Sequence, residues 1–174
     1  DLWLAFKGGL HVGMDDDVLL RLEYGLDTRV ADSDAGPTVA QLKVARDLGE
    51  DLPSVALGLA NIGFSDSERN DAGQPFPYAV ISHDFDLLRV HAGYGVAADN
   101  EAAFFGFDRT FEVQDTRLTP RVDFTQIDDQ DQWLGSAGVI WELTKLIAVE
   151  SWVSQPFDHG DATLTIKLNF GFSF

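Results

Sequence analysis

Thr163 to Phe174 reads TLTIKLNFGFSF. Every second residue is apolar, from Leu164 through Ile166, Leu168, Phe170 and Phe172 to Phe174. Thr163, Thr165, Lys167, Asn169, Gly171 and Ser173 stand between them. Successive side chains of a strand point to opposite faces, so this stretch reads as a strand with one apolar and one polar face. Terminal residues are usually loose and polar. A strand that stops on a bare aromatic suits an element with oil on one side and water on the other. The rest of the chain decides whether that oil is a protein core or a bilayer.

The alternation recurs almost from end to end. LWLAFKGGLHVGM (2–14) sets Leu2, Leu4, Phe6, Leu10, Val12 and Met14 against Trp3, Ala5, Lys7, Gly9 and His11. VLLRLEYGLD (18–27) repeats the pattern, with Arg21, Glu23, Gly25 and Asp27 on its polar face. Strand-like stretches follow near 38–47, 53–64, 77–84, 87–96, 103–114, 118–128, 133–143, 146–154 and 162–174. No long segment has a 3.6-residue period, so the class is all-β. Globular strands average about 5–6 residues, whereas membrane strands need about 9–11. These stretches match the longer class. Connections sort by length as well. Residues 15–17, 48–52, 84–86, 114–117 and 144–145 read as short turns, and 28–37, 65–76, 97–102, 128–132 and 155–162 as longer loops, in strict alternation. Membrane barrels have short turns at one end and longer loops at the other.

Composition sets further bounds. The chain has 174 residues, 45% of them hydrophobic, which suits one ordered domain over 1–174. No apolar run approaches the roughly 18 residues of a membrane helix, which leaves a membrane barrel open. Cys is absent, so there is no thiol chemistry. A net charge of −17 argues against nucleic acid as a partner, because phosphate binding needs clustered Lys and Arg. No basic, apolar leader precedes Asp1, which reads as a mature chain or a fragment.

The final LNFGFSF, with Leu168, Phe170, Phe172 and Phe174 as its apolar row, resembles the C-terminal signal of bacterial outer-membrane β-barrels. PSVALGLANIGF (53–64), LLRVHAGYGV (87–96) and AFFGFDRTF (103–111) are similar to segments of small porin-like barrels of poorly defined function. The resemblance implies the bacterial outer membrane as location and recognition by the barrel assembly machinery. It names no activity.

With the apolar rows placed toward lipid, the opposite rows line a lumen. They carry Lys7, Arg21, Lys43, Arg89, Arg121 and Lys167, together with Glu23, Asp108, Glu112, Asp123, Glu142 and Glu150, and His91 among them. Cations and carboxylates balance on this face, so the net negative charge belongs to loops, turns and strand ends. Tyr24, Tyr78 and Tyr94 fall near the outer strand ends, and Trp141, Phe172 and Phe174 near the periplasmic ends, as two aromatic girdles. Gly25, Gly58, Gly93, Gly95, Gly106, Gly138 and Gly171 fit places where a strand curves or another chain comes close. Arg109 breaks the pattern, because it shares the row of Phe105, Phe107, Phe111 and Val113. Snorkelling, a bulge that reverses the row, or a covering partner would each account for it. Eleven strands put the first and last in parallel. Single-chain bacterial barrels normally have even numbers, so twelve is the favoured count, with one strand before Asp1. Ten strands or a true odd barrel are the alternatives.

The chemistry is sparse. His91, with lumen carboxylates and with Ser82 or Ser136 as nucleophile, suggests a hydrolase, and His159 between Asp158 and Asp161 a rim protease. No motif fixes either geometry, and a structural lumen histidine and a solvated loop explain both. The clusters at 15–17, 32–36 and 128–132 offer carboxylates for divalent ions. None makes an EF-hand, since Gly36 comes one residue too early. They read as a solvated acidic rim that would bridge to lipopolysaccharide through divalent ions. No cofactor or resident metal is expected, and no enzyme. The expected protein is a narrow, weakly cation-preferring pore. The alternatives are a closed docking barrel with a protein partner at the Arg109 face, and an outer-membrane hydrolase.

Overall fold

The computed structural model describes residues 2–14, 17–30, 38–49, 51–63, 74–97, 100–127, 132–158 and 160–173. For 12–14, 17–19, 97, 100, 127, 172 and 173 it describes the backbone alone. No helix occurs among the described residues. The strands are β1 (Leu2–Met14), β2 (Asp17–Arg29), β3 (Thr38–Asp47), β4 (Ser54–Gly63), β5 (Phe76–Asp84) and β6 (Arg89–Ala97), followed by β7 (Asn100–Asp108), β8 (Phe111–Val113), β9 (Thr116–Ile127), β10 (Gln132–Glu142), β11 (Ile147–Pro156) and β12 (Thr163–Ser173). Each forms where apolar and polar residues alternate.

Every pairing is antiparallel except one. β1 pairs with β12 in parallel, from Leu2 opposite Ile166 to Gly9 opposite Ser173, and this closes the sheet. Eleven strands make the closed wall, in the order β1 to β7, then β9 to β12. The favoured count of twelve wall strands is therefore corrected: the odd number closes through a parallel seam. The twelfth strand is β8, which arises inside the stretch expected as one strand over 103–114. The ladder of β7 on β9 keeps one register from Asp108 opposite Arg121 to Phe111 opposite Leu118. Between these pairs Arg109 N–H donates to the Pro120 carbonyl at 3.2 Å. Pro120 has no N–H to return, so the ladder is interrupted and β8 counts as a separate piece. β6 ends at Arg89 opposite Asp108, so β8 pairs with β9 alone and runs past the wall. The strict sorting of loops also fails. β6 and β7 are joined by residues 98–99 alone, and β9 and β10 by 128–131, at the end expected to carry only longer loops.

Parallel pairing is slightly weaker per residue than antiparallel, and this seam is bridged on both faces. Inside, Lys167 of β12 reaches over β1 to Asp27 of β2 at 2.5 Å. Lys7 of β1 reaches over β12 to Glu150 of β11 at 2.8 Å, and Asn169 donates to the same oxygen at 2.8 Å. Ala5 stands opposite both Asp27 and Asn169, and its small side chain leaves room for these reaches. Outside, Phe6 stacks on Phe170 with ring centroids 5.6 Å apart.

Burial is inverted relative to a globular core. Among the described residues, the buried apolar set is Ala5, Ala45 and Ala102, while Asp108, Thr119, Thr165, Lys167 and Asn169 are buried polar residues. Large apolar side chains stand on the outer wall instead, from Phe6, Leu26 and Leu42 to Phe105, Val153 and Ile166, with Leu57 68% exposed. Strands about 4.8 Å apart, tilted about 40°, give eleven strands a backbone diameter of roughly 22 Å. Ten residues at about 3.3 Å each, tilted alike, span roughly 25 Å.

The Lys167 and Asp27 side chains are 11% and 13% exposed, so losing one partner strands the other charge. Lys167→Met is expected to cost about 3–5 kcal/mol, read by urea unfolding in detergent micelles. Asp27→Leu combined with Lys167→Met recovers most of that loss, because no unpaired charge remains.

Candidate functional site: the interior wall

The inward rows bring oppositely charged groups together along the wall. On β6, β7 and β9, Arg89 pairs with Asp108 at 2.8 Å, His91 with Asp123 at 2.9 Å, and Arg121 with Asp123 at 2.7 Å. His91, Gly106 and Asp123 lie opposite one another on three successive strands. A Cβ on Gly106 would sit 2.5 Å from the Asp123 carboxylate and 2.6 Å from His91 Nε2. The bare glycine is what lets the imidazole cross β7. Lys43 pairs with Glu23 at 2.6 Å and Arg21 with Asp47 at 3.0 Å, joining β2 to β3. Arg117 pairs with Glu142 at 3.2 Å, joining β9 to β10. With the two seam bridges, every ion pair among the described residues lies within one strand, between neighbours, or across a single intervening strand. Each hugs the wall.

Of the lumen residues expected from sequence, Glu112 lies apart. It shares the face of Arg117 but sits on β8, exposed beyond the end of β6. Asp27, Asp47, Arg117 and Asn169 complete the pairs and were outside that set. Of the terminal apolar row, Leu168 and Phe170 stand on the outer face, Phe172 is described by its backbone, and Phe174 lies outside the described residues.

The interior also holds aromatic rings that sequence reasoning placed elsewhere or passed over. Tyr78 is opposite Gly58 and Gly95, and its ring lies over Gly58, where a Cβ would come within 2.2 Å of it. Phe104 lies over Gly93 in the same way, and the Tyr78 and Phe104 rings meet edge to face at 6.2 Å. Trp152 faces inward opposite Gly138 and Thr165. Tyr78 is thus an interior residue and no part of an outer girdle, while Tyr24, Tyr94 and Trp141 stand exposed on the outside. Of the glycines expected at curves or close approaches, Gly58 and Gly93 are seats for the Tyr78 and Phe104 rings, Gly95 lies against Phe76, and Gly25 against Gln41. A tyrosine or phenylalanine in a strand facing a glycine was the available signal.

Three cavities of about 390, 410 and 280 Å³ follow the interior. The first and third share Glu23, Lys43 and Tyr78, and the second and third share Val80. Neighbouring cavities share wall residues of mixed polar and apolar character, so the interior is not a packed core.

Ser82 of β5 stands directly opposite His91 of β6, and no described hydrogen bond joins their side chains. His91 Nε2 faces Asp123, and Nδ1 lies 3.9 Å from Asp108. Ser136 shares a hydrogen bond with Ser154 at 2.8 Å, and Ser82 accepts one at its backbone carbonyl from Ser54 at 3.5 Å. Both imidazole nitrogens are turned to carboxylates and neither to a hydroxyl. His159 lies outside the described residues, as do most of the acidic clusters at 15–17, 32–36 and 128–132. Arg109 stands exposed at the rim, with its guanidinium 5.1 Å from the centre of the Phe111 ring.

No known protein family model matches this chain, and no curated protein matches it in sequence. The functional reading therefore rests on geometry.

Gly106→Ala places a methyl against both His91 and Asp123 and is expected to cost about 1–3 kcal/mol. Gly9→Ala, whose Cβ would meet only the Leu22 carbonyl at 3.6 Å, is expected to stay within about 0.5 kcal/mol. Unfolding midpoints of the two variants, measured side by side, check the contrast.

Proposed function

We propose that the chain is an integral bacterial outer-membrane β-barrel that works as a narrow, weakly cation-preferring pore for ions or small solutes. The observation that carries this reading is the inverted wall: apolar side chains outside, paired charges and cavities inside. Charged groups on an interior wall are stable where water reaches them or partners neutralise them, and here both conditions are available. A bare apolar outer surface of this extent is stable in lipid and costly in water. The wall height of roughly 25 Å suits the apolar band of an outer-membrane barrel.

Conduction follows from the layout of the ion pairs. Barrels of about eight strands are filled by their side chains, and 16–18 strands leave a broad channel. Eleven strands leave a small central space, which wall-bound pairs do not cross. Because those pairs cancel, selectivity falls to the mouths. The segments at 30–37, 64–75, 98–99, 128–131 and 157–162 carry eleven carboxylates in sequence and one arginine. Such a mouth concentrates cations. It would also meet lipopolysaccharide through divalent ions.

β8 favours a second reading, a docking barrel. Its outer edge is unpaired among the described residues, and Phe111, Val113 and Arg109 beside it are exposed. Free strand edges accept a partner strand. On this reading the barrel carries no current and co-purifies with another envelope protein through β8.

Single-channel recording in a planar bilayer tests the choice. The pore reading expects steady, cation-preferring steps, with Glu142→Lys lowering the cation preference. Gly58→Leu pushes the Tyr78 ring into the lumen and is expected to reduce unit conductance. A correctly inserted but silent barrel would contradict the pore.

A further inference from the structure

The cavity of about 410 Å³ has two unlike sides. Arg121 and Trp152 stand in one cross-strand row, on β9 and β11, with the side-chain-free Gly138 of β10 between them. Phe104 adds a second ring to the apolar side, and Ser136, Asp123 and Glu150 add hydroxyl and carboxylate groups to the polar one.

These polar groups are only partly engaged. Arg121 uses Nε on Asp123, and among the described residues its two terminal nitrogens have no partner. Glu150 takes Lys7 and Asn169 on one oxygen, Oε1, leaving Oε2 without a described partner. Ser136 shares one hydrogen bond with Ser154. The cavity therefore offers several free donors and acceptors beside aromatic faces. Its charges are already matched, Arg121 by Asp123 and Glu150 by Lys7, so an ionic solute would gain little without breaking a pair. A neutral ring that carries hydroxyls on its edge and C–H groups on its faces uses both sides at once. Ligand cavities run from about 300 to 1,000 Å³, and this one falls near the lower end, with room for a single sugar ring and several waters.

We infer that this interior cavity is a binding subsite for a neutral monosaccharide, held by Trp152 and Phe104 on its ring face and by Arg121, Ser136 and Glu150 on its hydroxyls. The inference deepens the pore reading by naming the class of solute, and it rests on that reading for transport but not for binding.

The test is calorimetric titration of the folded barrel in detergent micelles with D-glucose, beside the open-chain polyol sorbitol, followed by current block in a planar bilayer. Saturable millimolar binding of glucose is expected, at least about ten-fold tighter than sorbitol. Trp152→Ala and Arg121→Gln are each expected to weaken it about ten-fold or more. Heat-modifiable migration on gels reports folding, and if Trp152→Ala does not fold, Phe104→Leu removes an aromatic face at nearly constant volume. A barrel that binds glucose but carries no current supports the site and removes the pore. A barrel that conducts while glucose gives neither heat nor block overturns the site and leaves the pore. Binding that survives all three substitutions also overturns it.

Discussion

The parallel pairing of β1 with β12 is the constraint on which the closed wall depends. Eleven strands that turn back on themselves one after another leave the first and last running the same way. The sheet can close only by joining them in parallel. That contact brings together the two most distant parts of the chain, so it forms against the largest loop-closure entropy in the molecule. Its supports are correspondingly unusual. Both seam ion pairs skip a strand, so each ties three strands together where an ordinary cross-strand pair ties two. The Phe6–Phe170 stack acts on the opposite face. A seam held from both sides resists rotation about its line of hydrogen bonds.

Several long or flat side chains of the interior wall are laid against residues with little or no side chain. His91 crosses Gly106, Tyr78 covers Gly58, Phe104 covers Gly93, and the seam pairs pass beside Ala5. The consequence is an interior whose groups stay close to the wall. Charge matching has a parallel effect. Because cations and carboxylates find each other along the wall, the paired wall carries little net charge, and hydrogen-bonding capacity is what remains available to a solute. On the proposed reading this separates two tasks, with the acidic connections biasing which ions arrive and the neutral wall selecting by shape and hydrogen bonding.

Much of the fold was legible because a strand with two unlike environments prints its period on the sequence. The alternation in 2–14 and 162–174 located β1 and β12, and the same signal located the other wall strands. The odd count raised the parallel seam as a consequence of direction. Even strand numbers are usual in single-chain barrels, and the count of alternating stretches in this chain departs from that habit. The break between β7 and β8 was not legible from 103–114, since its cause is Pro120 on the neighbouring strand. Interior aromatics were hidden for a related reason. Tyr78 and Trp152 resemble girdle residues in type, and only the cross-strand partners Gly58 and Gly138 reveal which way they face. Asp27 was visible on the polar face of β2, but its partner Lys167 is 140 residues away, and no local pattern links them.

The account stands or falls on whether the outer wall meets lipid. Spin labels placed singly along β12 of the protein reconstituted in vesicles measure this directly, through collision with oxygen, which concentrates in lipid, and with a water-soluble nickel complex. Labels at Leu164, Ile166 and Leu168 are expected to favour oxygen, and labels at Thr165, Lys167 and Asn169 the nickel complex, in strict alternation. Equal access to the nickel complex at both sets, or failure of the folded barrel to associate with the vesicles, would contradict it.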